Sequence, residues 1–72
     1  MSGWQLIGLL EQNGYVQARS SGSHVRMIHP GPPTHAETVP LHKALKPGTL
    51  NTILTRVANH LQIDKSKLIR KL

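Results

Sequence analysis

One stretch of this chain leaves little freedom in how it can fold. Leu50, Ile53, Leu54, Val57, Ala58 and Leu61 recur at the spacing of one face of an α-helix. So continuous an apolar stripe must be laid on another apolar surface, and a chain of 72 residues has room for a single small core. The preceding residues have to build that surface. Among them, Pro30-Gly31-Pro32-Pro33 can enter neither a helix interior nor a strand ladder, because proline has no amide proton to donate.

The remaining segments suit this demand. Ser2 and Gln5 have the spacing of a capping box, and Trp4, Leu6, Ile7, Leu9 and Leu10 give a broad apolar face up to Gly14. The pattern predicts a first helix over about 3–13. A short alternating strand follows from Tyr15 to Arg19, then a turn at Ser20-Ser21-Gly22, then a second strand from Ser23 to about His29. Period 2 puts Val25 and Met27 on one face and His24, Arg26 and Ile28 on the other. A third strand over about Ala36–Leu41 carries Val39 and Leu41 inward, with Pro40 marking an edge or an end. Thr49 reads as the N-cap of the striped helix, and Asp64 as the cap of a short last helix ending in Leu68-Ile69-Arg70-Lys71-Leu72.

The expected architecture is therefore α+β: one domain over 1–72 in the order α-β-β-β-α. A three-stranded antiparallel sheet carries two main helices on one face, followed by a short extra C-terminal helix. The helices cover the side bearing Val16, Val25, Met27 and Val39. Tyr15, Gln17, Arg19, His24 and Arg26 are left on the open face.

Charge points to a partner. Nine Lys and Arg stand against Glu11, Glu37 and Asp64, a formal net charge of +6 that favours a polyanion. Only Trp4 and Tyr15 are aromatic, so a base-stacking platform is poorly supplied and recognition of shape and phosphate is expected instead. The absence of cysteine fits a reducing cytoplasm. No run approaches the ~18 apolar residues of a membrane span, and the N-terminus lacks the basic start and small-residue cleavage site of a signal peptide. A cytoplasmic protein is expected.

Several short motifs in their order are familiar. They are Leu-Leu-Glu-Gln-Asn-Gly-Tyr over 9–15, Arg19, Gly22-Ser23-His24, Thr38-Val39-Pro40-Leu41-His42, and Lys46-Pro47-Gly48-Thr49-Leu50 with Ile53-Leu54 behind it. Over roughly residues 4–60 the chain resembles the HicA toxins of toxin–antitoxin systems. The resemblance implies a fold like the double-stranded RNA-binding domain, translation-blocking cleavage of mRNA, inhibition by a HicB-type antitoxin, and catalysis by the histidine at position 24. Met27 and Gly31-Pro32-Pro33-Thr34 depart from the aromatic residue and basic Gly-Arg hairpin that such chains often carry.

The chemistry suits the residues at hand. RNA supplies its own nucleophile, the 2′-OH. The protein must move one proton from it and one to the 5′-oxygen, and stabilise charge on phosphorus. An imidazole with a pKa of about 6.5 can do either proton job near neutral pH, and Arg or Lys can meet the charge. By position alone His24 reads as an exposed strand histidine beside a Gly-Ser turn; the resemblance makes it the catalytic group. His42, beside Lys43, is a second candidate for proton transfer and reads equally as a histidine satisfying a strand end.

Phosphate contacts are expected from Arg19, Ser23, Arg26, Lys43 and Lys46, the two lysines lying at the approach to a helix N-terminus. The basic Lys65, Lys67, Arg70 and Lys71 read equally as an RNA contact or a solvated face. No metal or other cofactor is expected, since three scattered acids cannot form a two-metal cluster and the histidines lack ligand spacing. His29, His35 and His60 read as surface residues. The expected partners are mRNA and the antitoxin, with no membrane. A double-stranded RNA-binding module without catalysis, or an adaptor for an acidic protein, would use the same surface.

Overall fold

The computed structural model describes residues 1–70. Its elements are α1 (Gly3–Gln12), β1 (Val16–Ser21), β2 (His24–His29), β3 (His35–Pro40), α2 (Pro47–Leu61) and α3 (Lys65–Ile69). The strands form an antiparallel sheet in the order β1-β2-β3, which puts β2 in the centre and leaves β1 and β3 as edges. This is the α+β layout that the sequence predicts. Lys71 and Leu72, placed by the sequence reading at the end of the last helix, lie outside the described residues.

α1 begins at the expected capping box: the Gln5 amide donates to Ser2 Oγ at 3.1 Å, and the Ser2 amide to Gln5 Oε1 at 2.8 Å. Such a cap is worth about 1 kcal/mol. Gly3 is required there, because a Cβ would overlap the Pro40 carbonyl at the end of β3. Leu6, Ile7, Leu9 and Leu10 are buried, whereas Trp4, read as part of the apolar face, is 57 % exposed. The first turn of α1 reaches past the edge of the core.

α2 buries Ile53, Leu54, Val57 and Ala58 against Tyr15, Val25, Met27 and Val39 of the sheet side and the α1 leucines, with Leu68 of α3 closing the cluster. Each of the larger aliphatic side chains contributes about 1.5–3 kcal/mol relative to exposure. The helix starts earlier than the sequence suggests. Lys46, not Thr49, is its N-cap, with no side-chain capping bond, and proline opens the first turn. Proline's preset φ and missing amide suit the first helical position, so the turn forms without a hydroxyl cap. Asp64 holds the N-cap position of α3, also without a side-chain bond.

The largest departure lies in β1. Tyr15 is 1 % exposed and Val16 58 % exposed, the reverse of the predicted faces. Val16 pairs with Ile28 and Gln17 with Met27, so Gln17 takes the core-side register rather than the open face. The register then shifts between Gln17 and Arg19, and Arg19 stands opposite Arg26. A bulge inserts one residue and inverts parity beyond it. Arg19 therefore reaches the open face as predicted, but by a route that strict alternation cannot express. The strand also continues to Ser21, which moves the turn to Gly22-Ser23.

Candidate active site

That turn decides where His24 sits. Ser21 pairs with His24 across two residues, the first of which, Gly22, has φ +58°. Two-residue hairpins need positive φ at this point, and glycine adopts it without strain. His24 is thereby the first residue of the central strand, opposite Pro40. Its neighbour Val25 is buried against the helices, so His24 is exposed on the opposite side. Its side chain makes no hydrogen bond or ion pair among the described residues.

His24 helps to line an open cleft of about 740 Å3 between β3 and α2. Thr38 and Pro40 of β3 contribute, together with Thr49, Thr52 and Arg56 of α2. The three α2 residues fall at i, i+3 and i+7, one polar stripe beside the apolar one. The volume lies within the ~300–1,000 Å3 of ordinary ligand sites. On the open sheet face beside His24, Arg19 and Arg26 are directly opposed. Like charges so placed repel, and an anionic ligand would relieve that repulsion.

Glu37, also at the cleft, is the buried charged side chain among the described residues, 5 % exposed. It lies opposite Met27 on the core face of β3. One carboxylate oxygen is 3.6 Å from Arg56 Nη1; the other is 3.2 Å from His35 Nε2. With Nε2–H donating to the carboxylate, His35 Nδ1 accepts from the Tyr15 hydroxyl at 2.6 Å. Burial, and then the charge of Glu37, push the Tyr15 hydroxyl up to about 12. The hydroxyl is thus held protonated as a donor to His35.

Beyond this chain the histidines gather. His60 Nε2 and His29 Nδ1 are 3.0 Å apart, the Gly31 amide donates to His29 Nδ1 at 3.1 Å, and the His35 and His60 rings stack at 4.7 Å. Tyr15 packs against all three imidazoles. Burial first, then the nearby His35 and His29, lower the pKa of His60 from its ordinary 6.5. The reading of these three as simple surface residues is thus corrected. They are partly buried, His29 bonded to His60 and His35 stacked on it, because the β2–β3 register pairs His29 with His35 beneath the last turns of α2. Among the described residues no group of three or more His, Asp or Glu is arranged to hold a metal ion.

The sequence-nominated residues are only partly brought together. His24 lies at the cleft, Arg19 and Arg26 on the adjoining open face, and Ser23 in the turn, where its carbonyl accepts from the Leu41 amide at 2.6 Å. His42 is exposed after β3, its carbonyl accepting from the Gly3 amide at 2.9 Å, and it is not among the residues lining the cleft. Lys43 and Lys46 are exposed in the connection to α2 and also stand outside the lining. Thr49, Thr52, Arg56 and Glu37 were not nominated. Two signals point to them: the second stripe on α2, and the inward parity that Val39 imposes on Glu37.

A small antiparallel sheet with helices on one face, an exposed histidine and a pair of opposed arginines on the other, and a net charge of +6 define a small basic α+β protein. The profile of the HicA toxins of bacterial toxin–antitoxin systems matches residues 3–58, and the chain belongs to that family. No curated protein and no solved structure matches the chain. Among the described residues no helix is long and apolar enough to cross a membrane.

Proposed function

We propose that this toxin is a metal-independent endoribonuclease that cleaves mRNA in the cytoplasm and is silenced by a HicB-type antitoxin. The observation that carries the reading is that His24 is exposed, lines the cleft beside the Arg19–Arg26 pair, and has no side-chain partner among the described residues. A general acid–base must reach substrate and must not be tied up by its own protein, and His24 meets both conditions. In the proposed reaction the RNA 2′-oxygen attacks the adjacent phosphorus and the bond from phosphorus to the 5′-oxygen breaks. The products are a 2′,3′-cyclic phosphate and a 5′-hydroxyl. His24 takes the 2′ proton or supplies the one on the leaving oxygen, while the arginines hold the phosphate.

The test is induced expression of the chain and of His24→Ala, with mapping of mRNA 5′ ends. Growth arrest and new 5′-hydroxyl ends that vanish in His24→Ala support the nuclease. Equal behaviour of the two chains removes it. The opposed arginines on an open sheet face also favour one other reading, a double-stranded RNA-binding module without catalysis. That module would keep RNA affinity in His24→Ala and leave RNA intact in both chains. In either case affinity should fall steeply with salt, because phosphate contacts dominate.

A further inference from the structure

We propose that Arg56 is the phosphate-contacting residue of the β3–α2 cleft and that Glu37 is its positioning residue. The assignment rests on the nuclease reading for its catalytic consequence and on the cleft alone for its binding consequence. Four observations converge on it. Of the Lys and Arg among the described residues, Arg56 alone lines the cleft that His24 also lines. Its side chain is 62 % exposed, and its ion pair with Glu37 is made through one terminal nitrogen, so further guanidinium donors are available to a ligand. Thr38, Thr49 and Thr52 add hydroxyls to the lining of the same cleft.

The fourth observation is the placement of Glu37. A carboxylate at a core-side strand position is costly, and apolar residues at such positions often stabilise a fold as well or better. Its half-exposed partner recovers little, since exposed ion pairs contribute about 0–1 kcal/mol. What the arrangement does secure is direction. One oxygen is held by His35, which is held in turn by Tyr15, and the other points at Arg56. The guanidinium is thus drawn toward Glu37 at one end by a 3.6 Å ion pair and open at the other. It can donate N–H groups to the non-bridging oxygens of a phosphate whose charge grows as the 2′-oxygen attacks, while His24 handles the proton.

The experiment uses the full chain with a short RNA and with the same RNA carrying a 2′-deoxy substitution at the cleavage position, which cannot react. Arg56→Ala should lower kcat about 10²–10³-fold, the loss seen when one oxyanion donor is removed. It should weaken the uncleavable RNA about tenfold and reduce the salt slope of binding by about one. Arg56→Lys should recover binding more than kcat, because it restores the charge and not the planar fork. Glu37→Gln should lower kcat about tenfold in the wild-type background and add nothing in the Arg56→Ala background. A merely structural role for Glu37 would depress both backgrounds equally.

If His24→Ala is inactive while Arg56→Ala keeps kcat and affinity within about twofold of wild type, the Arg56 assignment falls and the nuclease reading stands. If the wild-type chain leaves RNA intact, the nuclease reading falls. The uncleavable RNA then decides Arg56 by itself: lost affinity with a reduced salt slope keeps it as the phosphate contact, and unchanged binding overturns it. Arg56→Ala removes an exposed side chain and should fold normally, so its outcome is readable whatever Glu37→Gln does to stability.

Discussion

The central strand begins and ends with a histidine, and the two stand in opposite surroundings. His24, at the first position of β2, is exposed and without a side-chain partner among the described residues. His29, at the last, accepts from Gly31, contacts His60 and packs on Tyr15. They lie five residues apart, so strand alternation sends one to the open face and the other under the helices. A histidine held by several neighbours is locked into one tautomer and orientation, which suits structure. A histidine left free can gain and lose a proton during a reaction, which suits catalysis. Within one strand, the surroundings rather than the residue type separate the roles.

The sharpest way to break this comparison is to remove each end in turn. His24→Ala should reduce RNA cleavage by about 10²–10⁴-fold while thermal stability changes by less than ~0.5 kcal/mol. Denaturant unfolding beside a cleavage assay checks both halves, and a strongly destabilised His24→Ala would erase the distinction. At the other end Tyr15→Phe should cost about 1–2 kcal/mol by stranding His35 Nδ1, yet leave kcat near wild type. A fall in kcat without a fall in stability would tie the cluster to the reaction.

Acid sharpens the contrast further. Because His60 has a pKa below 6.5 in the fold, the unfolded chain binds its proton more readily. Its contribution to stability is therefore complete above 6.5 and is lost as pH falls through the folded value. Melting temperature should drop on acidification, and His60→Gln should flatten that drop. His29, His35 and Tyr15 surround the ring, and Glu37 with Arg56 lies just beyond, so an unchanged acid profile in His60→Gln would assign the effect elsewhere. The smallest effect is spectroscopic. Tyr15 is the only tyrosine, so phenolate absorbance should report a single titration near 12 rather than at 10.0. Between those values the unfolded chain ionises first, and stability should decline as pH rises. A phenol that titrates normally would mean that the cluster is open to water.

How much of this is legible in the residues differs between these two regions. The free end is readable. Val25 and Met27 alternate with His24 and Arg26, Gly22 marks a turn that needs positive φ, and no acid lies nearby in sequence to occupy the histidine. The bonded end is not. Nothing local tells that His35, two residues before Glu37, meets a histidine from the end of α2, or that Tyr15 turns inward while Val16 turns out. Arg56 is visible only as one member of a polar stripe until β3 is laid beside it.

The division has a physical cause. Helical and strand periodicity, proline's missing donor, a capping box and the need to bury one apolar stripe act within a few residues, so element order, the buried faces of α2 and β2 and the exposure of His24 could be read from the chain alone. The bulge that inverts β1, the pairing of His29 with His35, and the sharing of Glu37 between a histidine cluster and Arg56 are settled by contacts among residues distant in sequence. Those contacts come into being only when the sheet has been assembled and α2 has docked on it, because only then do packing and the dehydration of Glu37 set which neighbour each polar group must have.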